Sequence, residues 1–219
     1  MVRIDFKHSL TPAELAITNT IAAHFMASAG PIRFSVAQSP SEREAAYRLR
    51  YEVVVEQGWA KPEAFGDSLE QDAYDAQAVH LLGWDGRKVV ATTRLVFPTA
   101  GKPLPTEAEF GLTVEPAGQV VDGARALVAR DYRDHQYRIF AGLLGYTWFE
   151  IQARGFYYLC GAAVPAMIRL CRSIGYQITV LGPAHHYWGA KRRPLRFDVP
   201  ESVPTLLARW EHLFDKDDN

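Results

Sequence analysis

A predicted β-hairpin constrains the fold of this chain more than any other segment. The apolar runs Val79–Gly83 and Lys88–Leu95 are separated by Asp85-Gly86, a dipeptide that favours the tight turn between two antiparallel strands. The flanking segments, residues 60–78 and 98–116, lack a clear period and are rich in charged, small or turn-forming residues. We therefore expect an antiparallel strand pair bordered by two long irregular connections.

Acidic residues and arginines accumulate around this hairpin, at Glu70, Asp72, Asp75, Arg94, Asp122 and Arg125. The ordinary explanation of an acidic run is a solvated loop. Arg94 and Arg125, however, lie in strand patterns, where a buried charge requires a partner of opposite sign. Asp72 and Asp75 are three residues apart, so a helical turn would direct both towards one arginine. The sequence therefore predicts a buried ionic network beside a pocket.

Helices and strands are mixed along the rest of the chain, and no glycine-rich phosphate loop follows the first strand. Capping boxes at Thr11–Glu14 and Ser39–Glu42 predict the starts of two helices. Further strands are predicted in "IRFSVAQ", "QVVDGARALVARDY", "FYYLCGAAV", "YQITVLGPA" and "PLRFDV", and further helices in Tyr137–Arg154, "PAMIRLCRSIG" and "SVPTLLARWEHLF". This order predicts an α+β fold, a three-layer α/β/α arrangement with a mixed sheet.

Length and composition indicate a single globular domain. The 219 residues are 48% hydrophobic and 22% charged, as in an ordinary globular protein. The formal net charge of -1 does not indicate binding to nucleic acid or to an anionic membrane. We expect one domain over residues 1–219, with an additional N-terminal helix in 1–30, a core in 31–199 and a C-terminal helix in 200–219. Without a predicted membrane span, and with Cys160 and Cys171 expected to be reduced, a soluble cytoplasmic protein is predicted.

Two common kinds of catalytic site are not indicated. The acids before the hairpin lack the spacing of a calcium loop, and the adjacent His185 and His186 would point in opposite directions, so no metal site is expected. The chain has no G-x-S-x-G motif, and Cys160 lies in an apolar run typical of an inert core thiol.

Several segments resemble a known family. The runs "LRYEVVVEQGWA", "LEQDAYD", "TTRLVFP", "EFGLTV" and "VVDGARALV" follow the order and approximate spacing seen in acyl-homoserine-lactone synthases, the LuxI-type autoinducer synthases of the GNAT-like acyltransferases. The resemblance extends from about Ile32 to Val199. The long-chain N-acyl amino acid synthases look almost as similar, and a non-catalytic GNAT-like sensor of acyl thioesters is a third alternative.

The resemblance implies site residues at Arg50, Trp59, Asp72, Asp75, Arg94, Phe110 and Arg125. Two departures concern the amine acceptor: Val54 stands where the family prefers phenylalanine, and Asp122 where it has glutamate. The resemblance also implies a mostly antiparallel sheet in which the parallel strands "ARALVARD" and "YYLCGAA" splay apart. A thioester would then lie between them, with an N–H near Val128 donating to its oxygen. Asp122 through water, or the Asp72/Asp75 pair, would take the amine proton. Arg94 or Arg125 would complete the network and reach the carboxylate of the acceptor.

The resemblance further implies the substrates. No tightly bound cofactor is expected; the donor is an acyl thioester, and the acceptor is S-adenosylmethionine or an amino acid. The turn "ARDYRDHQYR" lacks the glycines that would hold the pyrophosphate of CoA. Acyl carrier protein therefore fits better than CoA, which stays the alternative donor. The acidic surface of the carrier protein would meet Arg130, Arg133 and Arg138, although these residues could equally form a solvated basic helix start.

Overall fold

The computed structural model describes residues 9–134 and 136–214. The ends of the predicted domain, residues 1–8 and 215–219, lie outside this range. The helices are α1 (Pro12–Ser28), α2 (Pro40–Glu56), α3 (Pro105–Phe110), α4 (Arg138–Gln152), α5 (Pro165–Ile174) and α6 (Val199–Arg209). The strands are β1 (Arg33–Val36), β2 (Val79–Asp85), β3 (Lys88–Val96), β4 (Val120–Val128), β5 (Tyr158–Ala163), β6 (Ile178–Val180), β7 (His185–Tyr187) and β8 (Ala190–Asp198).

The strands form a mixed, mostly antiparallel sheet in the order β1-β2-β3-β4-β5-β8-β6, with β7 paired to β8. The predicted hairpin is confirmed as β2 and β3. β4 and β5 are parallel and pair only at Val120–Tyr158, Val121–Leu159 and Asp122–Cys160. Within the described residues, β4 then continues against β3, and β5 continues against β8. The two central strands therefore separate halfway along their length.

Helices cover both faces of the sheet, which confirms the predicted three-layer arrangement. Leu81 packs in the cluster that contains Leu143 of α4, whereas its neighbour Leu82 packs with Ala46 of α2. Because successive side chains of a strand point to opposite faces, α2 and α4 lie on opposite sides. Helix α1 packs against α4 so closely that a Cβ on Gly145 would lie 2.5 Å from the carbonyl oxygen of Ala22.

Both predicted capping boxes are present, at Thr11 and Ser39, because each side chain accepts an N–H bond and each following glutamate bonds back. Several other predicted boundaries were wrong. The segment 98–116 contains α3, the strand predicted in "YQITVLGPA" is only β6, and β8 begins four residues before "PLRFDV". The C-terminal helix begins earlier, at Val199, and ends earlier, at Arg209. No helix in the described part of the chain is long and apolar enough to cross a bilayer.

Candidate active site

An arginine–carboxylate cluster, formed by Arg50, Arg94, Arg125, Glu70, Asp72 and Asp75, lies on the α2 side of the sheet. Arg50 is fully buried because the helical period places it on the inner face of α2 with Leu49 and Val53. Its Nη1 and Nη2 donate to the two carboxylate oxygens of Asp75 at 2.7 and 3.0 Å, and its Nε donates to Glu70. This geometry is the bidentate pairing that suits guanidinium and carboxylate groups.

Arg94 of β3 binds Asp72 and also Asp75, the acid that pairs with Arg50. Its Nη1 donates to Asp72 Oδ1 at 2.6 Å and to Asp75 Oδ1 at 3.2 Å. The backbone N–H of Asp72 in turn donates to Asp75 Oδ2 at 2.7 Å. This bond forms a turn in the loop just before β2 begins. The structure thus brings Asp72, Asp75 and Arg94 together.

Arg125 reaches the cluster through a β-bulge. Arg94 pairs with Ala124, and Thr92 pairs with Leu127. Two residues of β4, Arg125 and Ala126, therefore lie opposite the single residue Thr93, which is the pattern of a bulge. Arg125 adopts a left-handed φ of 58° at this bulge. Its Nε donates to Glu70 Oε1, and its Nη2 donates to Asp72 Oδ2, both at 3.1 Å. Gly123 on the same strand allows close packing, since a Cβ there would lie 2.8 Å from the Leu159 side chain.

Three guanidinium groups and three carboxylates balance the formal charge of the cluster. Burial disfavours the charged form of Asp75, but the hydrogen bonds and charge of Arg50, followed by the charge of Arg94, outweigh it and lower its pKa to about 2. Burial likewise opposes the charge of Arg94, yet its bonds to Asp72 and the charge of Asp75 raise the pKa of this guanidinium. Asp75, Arg50 and Arg94 are therefore held in ionised form by their partners.

Asp122 of β4 is completely buried outside this cluster. Its Oδ2 accepts the backbone N–H of Thr106 at 2.8 Å and the thiol of Cys160 at 3.6 Å. Its Oδ1 has no hydrogen-bond partner among the described residues. Burial, only partly offset by the bonds from Thr106, raises the pKa of Asp122. Asp122 is thus suited to accepting a proton, whereas Cys160 is a buried thiol whose own pKa is raised by burial and by Asp122.

An aromatic pair stands beside Arg125. The rings of Trp59 and Trp188 are 5.0 Å apart, and the guanidinium of Arg125 lies 4.4 Å from the centre of the Trp188 ring. Trp188 and Gly189 form the tight turn between β7 and β8, with φ values of 43° and 75°. Glycine is required here, because a Cβ on Gly189 would lie 2.1 Å from the Cβ of Trp59.

Phe110, at the end of α3, lies against the β7 strand. Its ring stacks on His185 with centroids 4.1 Å apart and meets the Tyr187 ring edge-on at 5.8 Å. His185 itself is within 3.0 Å of a Glu109 carboxylate oxygen. Phe110 therefore contacts Tyr187, and the hydroxyl oxygen of Tyr187 is 3.4 Å from Nη1 of Arg125. Phe110 is thus connected to the cluster only through Tyr187.

A cavity of about 270 Å³ occupies the gap where β4 and β5 separate. Apolar side chains from α4, α5 and β8 line one part of its wall: Phe140, Leu143, Leu144, Met167, Leu195 and Phe197. Polar and aromatic groups from α3, β4 and the β7–β8 hairpin line another part: Thr106, Asp122, Arg125, Tyr187, Trp188 and Arg192. The wall therefore changes from apolar to polar across the sheet.

A second cavity of about 250 Å³ adjoins the first, and the two share five lining residues: Trp59, Ala126, Leu127, Phe140 and Met167. Val128 lies in its wall. The N–H of Ala129 donates to Val90 on β3, and neighbouring amides of a strand point in opposite directions. The N–H of Val128 therefore points away from β3, to the side on which β4 and β5 diverge.

Sequence reasoning named Glu70 but did not place it in the site, and it missed Tyr187, Trp188 and Arg192. Glu70 is the acid that joins Arg50 to Arg125. The dipeptide Trp188-Gly189 was the available signal, because an aromatic residue before glycine between two short polar runs is compatible with a hairpin turn. No group of three or more His, Cys, Asp or Glu side chains in the described ranges could hold a metal ion.

A family match supports the GNAT-like character of the fold. Residues 49–141 match the model of the acetyltransferase (GNAT) domain, a segment that includes the cluster and all of β4. Among the described residues, the mixed sheet has one parallel pair, β4–β5, which opens at its middle. With residues 49–141 matching a GNAT acetyltransferase domain, the fold of the described chain is GNAT-like.

Three solved structures with this fold are of proteins whose reaction is described. BjaI, a CoA-dependent acyl-homoserine lactone synthase with SAM and isopentyl-CoA, is 23% identical, with a TM-score of 0.59 over 76% of this chain and 80% of that one. MesI, also a CoA-dependent acyl-homoserine lactone synthase, is 21% identical, with a TM-score of 0.63 over 82% and 95%. FeeM, an N-acyl amino acid synthase from uncultured soil microbes, is 20% identical, with a TM-score of 0.63 over 81% and 96%. At these identities the likeness concerns the fold. No curated protein sequence matches the chain.

Proposed function

We propose that this chain is an N-acyltransferase that moves a fatty acyl group from a thioester to the amine of an amino-acid-like acceptor. The observation that carries the proposal is the cavity between β4 and β5, which is apolar towards α4 and α5 and polar towards α3 and the β7–β8 hairpin. A lipid tail suits the first part of this wall and an amine acceptor the second, so the two substrates would meet at the separated strands.

The donor binds in the gap like an additional strand. Its pantetheine arm lies beside β4, and the N–H of Val128, which points away from β3, donates to the thioester oxygen as negative charge develops there. The thioester comes from acyl carrier protein or from CoA, since both present the same arm. Arg133 bonds to Glu56 and Arg138 to Asp134, so of the three predicted carrier-protein contacts these two are already engaged within the chain.

Asp122 is the proposed base. The amine nitrogen attacks the thioester carbonyl carbon, the carbon–sulfur bond breaks, and the amide forms as the thiolate leaves. The proton lost by the amine passes to Asp122, directly or through one water molecule, and then to the thiolate. Asp122 suits this role because burial raises its pKa, whereas Asp75 has a pKa of about 2 and is occupied by Arg50. The arginine–carboxylate cluster holds the acceptor side of the wall in place.

The first candidate acceptor is S-adenosylmethionine. After its amine is acylated, its carboxylate oxygen attacks the γ-carbon and methylthioadenosine leaves, so that the product is an acyl-homoserine lactone, an autoinducer. The similarity in fold to BjaI with SAM supports it. The second candidate is an amino acid without a positive charge on its side chain. The charge of the wall favours this second acceptor, because Arg192 has no carboxylate partner among the described residues and would repel a sulfonium ion.

The test is to incubate the purified chain with dodecanoyl-CoA or dodecanoyl carrier protein and with S-adenosylmethionine or each of the common amino acids. Mass spectrometry should detect one acylated amine. Leu144→Phe, which fills the apolar part of the cavity, should shift the preferred donor to a shorter acyl chain, whereas Leu15→Phe, on α1 and outside the cavity wall, should not. Thioester binding without transfer to any amine would contradict the proposal and favour the acyl-thioester sensor.

A further inference from the structure

Arg192 differs from every arginine of the cluster in what surrounds it. It lies near the start of β8, is only 9% exposed, and lines the 270 Å³ cavity. Its Nε donates to the carbonyl oxygen of Tyr187 at 3.2 Å, and its Nη2 donates to that of Trp188 at 3.3 Å. Within the described part of the chain it forms no ion pair with a carboxylate, and its Nη1 has no hydrogen-bond partner. A nearly buried cation without a counter-charge is uncommon in a protein that binds nothing there.

Two indole rings hold this guanidinium in position. Its central carbon lies 4.7 Å from the centre of the Trp59 ring and 5.2 Å from that of Trp188. Aromatic faces attract a cation but leave its charge uncompensated. Burial and then the neighbouring charge of Arg125 lower the pKa of Arg192, although at neutral pH an arginine remains protonated. The position therefore presents a fixed positive charge at the cavity wall.

We propose that Arg192, held between Trp59 and Trp188, binds an anionic group of a substrate, namely the carboxylate of the amine acceptor. The inference rests on the proposed function. The amine and carboxylate of an α-amino acid are attached to one carbon, so their binding groups must line one cavity. Asp122 and Arg192 both line the 270 Å³ cavity. The three arginines of the cluster already hold three carboxylates, which leaves Arg192 as the available guanidinium in this wall.

The phosphate of the thioester donor is the other possible source of an anion. It would enter with the pantetheine arm beside Val128, in the adjoining 250 Å³ cavity. Arg192 is not part of that wall. This placement favours the acceptor over the donor as the ligand of Arg192.

A binding experiment tests the inference without turnover. The probes are N-dodecanoylglycine and its primary amide, which share a tail and differ in the negative charge. Binding is followed by calorimetry and by the intrinsic tryptophan fluorescence, to which Trp59 and Trp188 contribute. The acid should bind about 10- to 100-fold more tightly than the amide, as expected for a charge-assisted hydrogen bond. Arg192→Gln should abolish this ratio, and Arg192→Lys should retain part of it. Arg193→Gln is the matched control, because Arg193 is the next residue of β8 and is exposed.

Equal affinity of the wild-type protein for acid and amide, or no measurable binding of either, would overturn the inference without any variant having to fold. An unchanged ratio in folded Arg192→Gln would also overturn it. Steady-state kinetics separate the two anions: Arg192→Gln should raise the KM for the acceptor and leave the KM for the donor unchanged. A raised KM for the donor with unchanged acid/amide preference would assign Arg192 to the donor phosphate instead. If no amine is acylated but the acid is preferred, the proposed function fails and the carboxylate site remains.

Discussion

Arg50 and Asp75 form a two-point ion pair inside the protein, with side chains 0% and 3% exposed. Arg50 belongs to α2, while Asp75 begins a 3-10 turn at the end of an irregular loop. The pair therefore fixes the loop against the helix at the place where the loop enters β2. The pair contributes mainly by positioning the loop, because the cost of removing two charges from water offsets much of their mutual attraction.

Breaking this pair should destabilise the protein strongly. Asp75→Asn or Arg50→Met leaves one buried charge without its partner, and we expect each change to lower the free energy of unfolding by about 3 to 5 kcal/mol. Urea denaturation measures the loss. The control is Arg48→Met on the same helix, whose pair with Glu44 is half exposed and should contribute about 1 kcal/mol or less. Similar losses for Arg48→Met and Arg50→Met would contradict the prediction.

The same pair should make stability depend on acidity. Because the pKa of Asp75 is lowered to about 2 in the folded protein, its contribution is present above the unfolded pKa of about 4 and is lost as the pH falls from there towards 2. The difference in unfolding free energy between the wild-type protein and Asp75→Asn should therefore shrink by about 2 kcal/mol as the pH falls over this range. Parallel urea titrations of the two proteins between pH 2.5 and 6 measure the difference, and a constant difference would argue against an ionised Asp75.

Replacing Asp122 should remove the proposed base. We expect Asp122→Asn to lower kcat/KM by about 10²- to 10⁴-fold, the usual contribution of a positioned base. Because burial raises the pKa of Asp122, the acid limb of the wild-type pH profile should lie above the ordinary carboxyl range and should disappear in the variant. Activity over pH 4 to 9 measures both effects. A folded Asp122→Asn protein with an unchanged profile would exclude this assignment.

The turn that carries Trp188 should tolerate no side chain at Gly189. Gly189→Ala combines a φ of 75° with a Cβ placed 2.1 Å from Trp59, so the turn must move. Gly86→Ala is the matched control: it lies in the other hairpin turn at a φ of 56°, with no atom within 4 Å of a new Cβ. The control should lose about 1 to 2 kcal/mol of stability and keep its activity, whereas Gly189→Ala should lose more and also weaken acceptor binding. Equal losses in thermal unfolding and equal acceptor KM values would refute the packing argument.

Local patterns predicted the elements that depend on neighbouring residues. The Asp85-Gly86 turn, the capping boxes at Thr11 and Ser39 and the period of α4 are properties of short segments, and the structure contains each of them. Short elements with weak patterns were misjudged. β7 covers only three residues and α3 only six, too few for a period to stand out from a loop.

The sequence by itself also determined that Arg94 and Arg125, in the strands beside the hairpin, needed acidic partners, and the acids before the hairpin were the nearest ones. Only the tertiary structure decided which acid meets which arginine. Glu70 lies 20 residues from Arg50 and 55 from Arg125, and the bulge that turns Arg125 towards it depends on the pairing of β4 with β3. The cavity and the place of Arg192 arise in the same way, because they depend on where two parallel strands stop pairing and on which hairpin closes over the gap. Local sequence has no period for such long-range contacts, whereas packing and the cost of an unpaired buried charge select them once the sheet has formed.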